Sequence, residues 1–235
     1  MATATTPIHV EIWSDVVCPW CYIGKRRFER ALEQLAGEVH VDYVFRAFQL
    51  DPTASMGTTQ PVAEAYAKKF GGPERAQVMI DRVTSIAAEE GLEFRLDLAL
   101  RANTLLAHRL LWLAEQQDSP VPQVALKERL LVAYFHDGLD IGDPDVLAAC
   151  AAELGFDRDA VAAFLDSAAG LDEVRAEIEQ ANDLGIAAVP TFVVNGTWAI
   201  PGAQDTDTFV NVFRQLRDRI VIESAPACED DICDV

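Results

Sequence analysis

The spacing of apolar residues divides the chain into stretches of strand and stretches of helix. Apolar positions at residues 8–13 predict a short buried strand. From Pro19 to Ala36 they recur every three or four positions, which predicts an amphipathic helix ended by Gly37. β-Branched and aromatic residues at 39–45 predict a second strand. A strand, a helix and a strand of these lengths predict a βαβ unit with parallel strands and a right-handed crossover.

The middle of the chain is predicted to be entirely helical. A polar link marked by Gly and Pro covers residues 51–59, and from Pro61 to about Ala169 no segment has the pattern of a strand. Proline, aspartate and glycine residues mark the beginnings and ends of six helices in this stretch. Their short connections predict a helical domain inserted between two strand-containing segments.

Strand patterns return toward the C-terminal end of the chain. A helix predicted at 171–184 precedes two apolar segments, 189–194 and 197–200. Asn195-Gly196 lies between them, and Asn-Gly between two apolar strands predicts a hairpin with a type I′ turn. A last helix is predicted from about residue 205 to residue 220.

Composition narrows the classes of partner. Half of the 235 residues are apolar, which suffices for one large domain or two interleaved ones. The formal charge of −19 disfavours nucleic acid and anionic lipid as partners. The chain has no apolar run of about 20 residues, so no membrane span is expected. The first seven residues lack the features of a signal peptide, and we therefore expect a cytoplasmic protein.

The segment Cys18-Pro19-Trp20-Cys21 carries the candidate chemistry, because it follows the first predicted strand and begins the first predicted helix. The N-terminus of a helix has unpaired N–H groups and about half a positive charge. An exposed Cys18 at that end is expected to be a stabilised thiolate, with a pKa of roughly 3.5 to 7.5. Cys21 lies one turn further along and can close a disulfide with Cys18, which predicts a dithiol–disulfide couple.

A Cys-x-x-Cys segment has two other interpretations, half of a zinc site and a pair of core cysteines. Structural zinc normally takes four nitrogen or sulfur ligands, and no second cluster of suitable spacing is present in the sequence. Disulfides in the cytosol are usually transient and catalytic. A redox pair without bound metal is therefore the preferred interpretation.

Four segments resemble the DsbA family of thioredoxin-fold oxidoreductases and, within it, most closely the cytoplasmic FrnE group. They are residues 14–24, Asn103-Thr104 with His108-Arg109, residues 185–192, and residues 201–204. The resemblance implies an α/β, thioredoxin-like fold with a large all-helical insertion. Its predicted units are a discontinuous thioredoxin-like domain at 1–58 and 168–222, a helical insertion at 59–167, and a flexible acidic tail at 223–235.

The resemblance also implies roles for residues around the cysteines. Pro19 and Trp20 would tune the reduction potential of the couple. Pro190 would follow a cis peptide bond and face the cysteines, so that the Val189 backbone is presented to an extended substrate and metals are kept away. An ordinary trans proline at the start of a strand is the alternative.

Three residues of the insertion are candidates for a substrate groove. The resemblance makes Asn103, His108 and Arg109 groove residues. A helix-surface histidine and an ion-paired arginine are an equally acceptable interpretation of the last two.

An acid near the cysteines can assist proton transfer. Glu11 and Asp15 both precede the motif, and Glu11 is the preferred candidate because it lies within the predicted strand. The alternative is a solvated carboxylate at the end of the strand.

Three further cysteines remain. Cys150 lies at helical spacing among apolar residues and is expected in the core. Cys228 and Cys233 flank Glu-Asp-Asp-Ile in the acidic tail. An auxiliary redox pair, as in some FrnE-group proteins, a soft-metal site and no role at all are the alternatives for them. Nearby negative charge is expected to raise their thiol pKa values, which suits a resolving role better than first attack.

The predicted function is that of a cytoplasmic thiol–disulfide oxidoreductase of the reductase or isomerase type. Its substrates would be cysteine-containing proteins, peptides or small disulfides, with no bound cofactor and glutathione as a candidate co-substrate. The rival class resembles the kappa glutathione transferases and 2-hydroxychromene-2-carboxylate isomerases, which have Ser in place of Cys18 and lack Cys21. A third class is a metal- or partner-binding protein that uses the tail. The sequence leaves the oligomeric state open.

Overall fold

The computed structural model of the chain describes residues 7–57 and 60–224, with side chains described as far as Arg219. The helices and strands within those ranges are, in chain order, β1 (Ile8–Ser14), α1 (Pro19–Gln34), β2 (Val41–Ala47), α2 (Val62–Phe70), α3 (Pro73–Glu89), α4 (Leu105–Glu115), α5 (Gln123–Phe135), α6 (Pro144–Leu154), α7 (Arg158–Asp166), α8 (Leu171–Asp183), β3 (Thr191–Val194), β4 (Trp198–Pro201) and α9 (Thr206–Ser224).

The strands form one sheet in the order β2-β1-β3-β4. Strands β1 and β2 are parallel and are connected through α1, which confirms the predicted βαβ unit. Strand β3 pairs antiparallel with β1, and β4 pairs antiparallel with β3. The hairpin between β3 and β4 turns at Asn195 and Gly196, whose φ values of 49° and 64° are those of the predicted type I′ turn.

A core of aromatic rings lies between the sheet and two helices. Phe28 of α1 packs against Phe192 of β3 and against Phe209 and Phe213 of α9. Helices α1 and α9 run in the same direction, because Arg27 in the middle of α1 pairs with Asp205 just before α9. Further along both, Glu38 beyond the end of α1 pairs with Arg214 in the middle of α9. The cysteines therefore lie at the end of this layer where both helices begin.

The predicted helical insertion is present, and within residues 60–169 the described structure contains helices and a single isolated bridge between Pro61 and Leu100. Asp143 and Asp157 cap α6 and α7 with their side chains, as their positions before each helix predict. The insertion has its own apolar core, which also includes Tyr22 of α1. Helix α1 thus contributes to both cores. None of the described helices is long and apolar enough to cross a membrane.

Candidate active site

Cys18 is placed at the start of α1 by the turn that follows β1. It is the N-cap residue, with an extended backbone (φ −87°, ψ 113°), and Pro19 follows at the first helical position, where its missing N–H costs nothing. The Cys18 Sγ accepts the N–H of Cys21 at 3.3 Å, as a capping side chain does. Cys18 and Cys21 are both free thiols, and they are only 3% and 2% exposed.

A cis peptide bond precedes Pro190, as the sequence resemblance implies. The carbonyl oxygen of Val189 lies 3.5 Å from the Cys18 Sγ, and the thiol donates to it. Helix α1 approaches this turn closely at Gly24, where an added Cβ would lie 2.9 Å from Cγ of Pro190 and 3.3 Å from Ala203. A side chain at Gly24 would therefore push the cis-proline turn away from the cysteines.

The two thiols differ in their pKa values. Burial raises the pKa of Cys18 well above its usual value, and contact with the Cys21 thiol raises it further. Burial also raises the pKa of Cys21, but the Cys18 thiol, the charge of Lys127 and the Ser14 hydroxyl together lower it below its usual value. The pair thus loses its first proton readily and its second with difficulty. The expectation that Cys18 is exposed is wrong, because its side chain lies in a small apolar cluster with Trp13, Ile186 and Val189.

The buried acid next to the thiols is Asp15. Its carboxylate is fully buried and accepts the N–H groups of Val16 and Leu50, each at 2.8 Å. Nε2 of His108 lies 3.2 Å from the same carboxylate. Asp15 lies where the chain leaves β1 for α1, and its negative charge raises the pKa of Cys18 as one of several smaller influences behind burial.

The preference for Glu11 as the buried acid is wrong. Its carboxylate is partly exposed and binds Arg46 at 2.8 Å, and Arg46 also binds Glu115 and Glu177. Glu11 pairs with Val44 of β2, three residues before the strand end at Ser14. Its side chain therefore belongs to an ion cluster beside the sheet and not to the cysteine site.

His108 is a buried support of the site, not a surface residue. Its Nε2 lies 3.0 Å from the carbonyl oxygen of Phe48 and 3.2 Å from Asp15. Because both partners are acceptors, Nε2 carries the hydrogen. His108 thus ties α4 of the insertion to Asp15 and to the segment after β2.

Arg109 is a structural residue and not a groove residue, and it makes no ion pair within the part of the chain that the structure describes. Its guanidinium is buried and donates to the carbonyl oxygens of four residues at the end of α7 and just beyond it: Phe164, Leu165, Ser167 and Ala169. Carbonyl groups at the end of a helix lack partners within the helix, and a cation there satisfies them. Arg109 therefore holds α4 to α7.

Asn103 also has a structural role, because its side-chain amide joins two segments of the chain. Its Oδ1 accepts the N–H of Leu105 at the start of α4, and its Nδ2 donates to the carbonyl of Ala54. Both ends of the amide are thus used to join α4 to the link after β2.

Two polar groups next to the cysteines were not identified from the sequence. Nζ of Lys127 and Oγ of Ser14 are buried and have no hydrogen-bond partner among the described residues. Lys127 is 1% exposed, and its Nζ lies 5.2 Å from the centre of the Phe45 ring. A signal existed in the sequence, because Lys127 stands at helical spacing from the inward-facing Leu130 and Leu131.

The other candidate residues have varied surroundings. Trp20 packs against both the insertion core and the small apolar cluster around the cysteines. Cys150 is buried in the insertion core, as expected. Among the described residues, no group of three or more His, Cys, Asp or Glu side chains could hold a metal ion. Cys228 and Cys233 lie outside the described residues.

Comparison with known proteins gives one family. A model of the DSBA-like thioredoxin domain matches residues 9–214. The uncharacterized protein YwbO of Bacillus subtilis is 28% identical over 204 residues, which cover 86% of this chain and 94% of YwbO. The crystal structure of a probable DsbA oxidoreductase from Streptomyces coelicolor is 35% identical, with a TM-score of 0.81, and covers 97% of this chain and 99% of its own.

Two further solved structures share the fold at lower sequence identity. A 2-hydroxychromene-2-carboxylate isomerase has a TM-score of 0.62 at 16% identity and covers 92% of this chain and 100% of its own. The cytosolic disulfide reductase DsbM of Pseudomonas aeruginosa, solved with GSH, has a TM-score of 0.58 at 21% identity and covers 92% and 98%. At these identities the likeness extends to the fold alone.

Proposed function

The chain belongs to the family of DSBA-like thioredoxin domains, and on that premise we propose that it is a cytoplasmic thiol–disulfide oxidoreductase acting through Cys18 and Cys21. The position of Cys18 is the main support. It caps α1, accepts the N–H of Cys21, and lies 3.5 Å from the carbonyl of Val189 before the cis proline. The Cys21 N–H and the N-terminus of α1 stabilise negative charge on the sulfur and act against the burial that raises the pKa of Cys18. The turn beside the sulfur can receive an extended substrate.

The reaction follows from the order of the two thiols along α1. The Cys18 thiolate attacks a substrate disulfide, one substrate sulfur leaves with the bonding electrons, and a mixed disulfide forms on Cys18. Cys21, one turn into the helix, then attacks the Cys18 Sγ. The Cys18–Cys21 disulfide forms, the second substrate sulfur leaves, and the substrate has gained two electrons and two protons.

The reductase or isomerase direction fits a cytoplasmic location, where glutathione and thioredoxin keep thiols reduced. DsbM, which shares the fold, is described as a cytosolic disulfide reductase and was solved with GSH. By analogy with DsbM, we propose glutathione as the co-substrate of this protein, and cysteine-containing proteins, peptides or small disulfides as its substrates. The FrnE group is the proposed place of the chain within the family.

Reduction of insulin in the presence of glutathione tests this function. We expect turnover by the wild type, none by Cys18→Ser, and a stable mixed disulfide on Cys18 in Cys21→Ala. Cys150→Ala is the matched control, because it removes a buried thiol from the insertion core and leaves the couple intact. Full activity in Cys18→Ser would contradict the proposal.

The fold shared with 2-hydroxychromene-2-carboxylate isomerase favours a second candidate, a glutathione-dependent isomerase or transferase. Such an enzyme needs one glutathione-binding site and no resolving thiol. Glutathione conjugation or isomerisation that survives Cys21→Ala would support it, whereas loss of activity in that variant supports disulfide exchange.

The tail cysteines remain a prediction, because Cys228 and Cys233 lie outside the described residues. We propose them as an auxiliary redox pair that exchanges with the Cys18/Cys21 couple. Deleting Cys228 to Val235 is expected to change the redox titration of the couple against glutathione. Zinc that is bound by the full chain in a one-to-one ratio and lost on this deletion would instead support a metal site.

A further inference from the structure

Lys127 is a buried cation that the fold leaves without a hydrogen bond. Its Nζ has no hydrogen-bond partner among the described residues, and it lies over the ring of Phe45, 5.2 Å from the ring centre. Burying an unpaired ammonium is costly, and a well-packed apolar side chain of similar volume is usually at least as stable. A packing role alone does not account for a lysine here.

The neighbours of Lys127 on α5 fix where its side chain points. One turn earlier, Gln123 bonds to both the N–H and the carbonyl of Phe45 on β2. The next residue, Glu128, accepts the hydroxyl of Tyr22, which directly follows Cys21 on α1. Lys127 is therefore held between β2 and the first turn of α1, on the side of the cysteines.

Four charged or titratable groups lie within electrostatic range of Lys127, and they are Cys21, Asp15, Cys18 and Lys25. Burial lowers the pKa of Lys127 to about 8, with the three acidic groups acting against burial and Lys25 acting with it. Its proton can therefore be exchanged near neutral pH, which is unusual for a lysine.

Asp15 is buried like Lys127, but its polar atoms already have partners. The two oxygens of Asp15 already accept the N–H groups of Val16 and Leu50, and His108 adds a third contact. The amine of Lys127 has no such bonds to give up. The Ser14 hydroxyl, also without another partner, lowers the pKa of Cys21 as Lys127 does.

We propose that Lys127 is a positioning residue for disulfide exchange, whose buried ammonium favours the thiolate form of Cys21 when Cys21 attacks the mixed disulfide on Cys18. The inference rests on the proposed function and concerns its second step. In that step the Cys21 thiol releases its proton to solvent, and the positive charge of Lys127 stabilises the thiolate that remains. The thiolate displaces the substrate sulfur from Cys18, and the proton returns to that leaving sulfur through solvent. No further oxidant or reductant is required.

Dithiobis(nitrobenzoate) separates the two steps in a single turnover of the reduced protein. Attack by Cys18 releases one coloured thionitrobenzoate, and attack by Cys21 on the mixed disulfide releases the second. Cys21→Ser assigns the phases, because it lacks only the second release. In Lys127→Met we expect the second phase to slow by about tenfold or more, while the first phase changes far less. The pH midpoint of the second phase should move upward by about one unit.

Lys25→Met is the matched control, because Lys25 is equally buried but pairs with Glu29 and Glu128. We expect both phases in that variant to stay close to those of the wild type. Equal slowing of both phases in Lys127→Met, an unchanged second phase, or loss of its fold would overturn the inference. If the wild type releases no second thionitrobenzoate, the proposed function itself fails, so the two failures can be distinguished.

Discussion

Two clusters of buried charge join α1 to α5 of the insertion, and they are built in opposite ways. In the outer cluster, Glu128 accepts Tyr22, Lys25 and Arg26, so every charge has a partner. In the inner cluster, Lys127 and Ser14 face the cysteines with unpaired polar atoms. The outer cluster pairs its charges, although Nε of Arg26 has no hydrogen bond among the described residues, and it holds two parts of the molecule together. The inner cluster leaves the ammonium of Lys127 unpaired, so that its charge can act on the cysteines.

The largest effect is expected from removing the one inner group that is fully bonded. Asp15→Ala would leave the N–H groups of Val16 and Leu50 and the Nε2–H of His108 buried without partners. We expect a loss of about 3 kcal/mol or more in the free energy of unfolding, measured in urea. A loss below about 1 kcal/mol would mean that water reaches this carboxylate.

The second-largest effect is expected in the outer cluster. Lys25→Met would leave Glu29 and Glu128 without the cation between them. Because both carboxylates are partly exposed, we expect a loss of only about 2 kcal/mol in urea unfolding. An increase in the free energy of unfolding would show that burying Lys25, like burying Lys127, destabilises the folded protein.

In the inner cluster, a substitution is expected to stabilise the protein and not to destabilise it. At neutral pH, Lys127→Met removes a buried ammonium and should raise the free energy of unfolding by about 1 kcal/mol. The pKa of Lys127 is about 8 in the folded protein and returns to its ordinary 10.5 in the unfolded chain. Between these two pH values the unfolded wild-type chain binds more protons than the folded one, so the wild type gains stability as pH rises. The difference in the free energy of unfolding between Lys127→Met and the wild type should therefore shrink. Urea titrations at pH 7 and pH 10 measure it, and a constant difference would contradict the depressed pKa.

The smallest effect provides a surface reference for both clusters. Glu153 is well exposed and pairs with Arg129, which Asp137 also holds. Glu153→Ala is therefore expected to cost less than about 1 kcal/mol in urea unfolding. A larger loss would mean that exposed pairs matter as much here as the buried ones.

The Cys-x-x-Cys segment and its framework could be predicted from local sequence. The Cys-Pro-Trp-Cys segment, the Asn195-Gly196 turn and the helix-capping Asp143 and Asp157 each depend on neighbours within a few residues. The cis bond before Pro190 came from the family resemblance, because a proline alone permits either isomer.

The supports of the site could not be predicted in the same way. Glu11 and Asp15 are both acidic residues near one motif, and only the folded chain shows that Asp15 meets the segment after β2 while Glu11 meets Arg46. Arg109 finds its carbonyl partners about 55 residues later, at the end of α7. Such partners are brought together by tertiary packing, which hydrophobic spacing does not report.

Helix α1 has residues in both apolar cores, with Phe28 beside the sheet and Tyr22 in the insertion. Neither core can come apart without exposing rings on this one helix. We therefore expect the sheet and the insertion to melt together, as a single heat-absorption peak, although one interrupts the other in the chain.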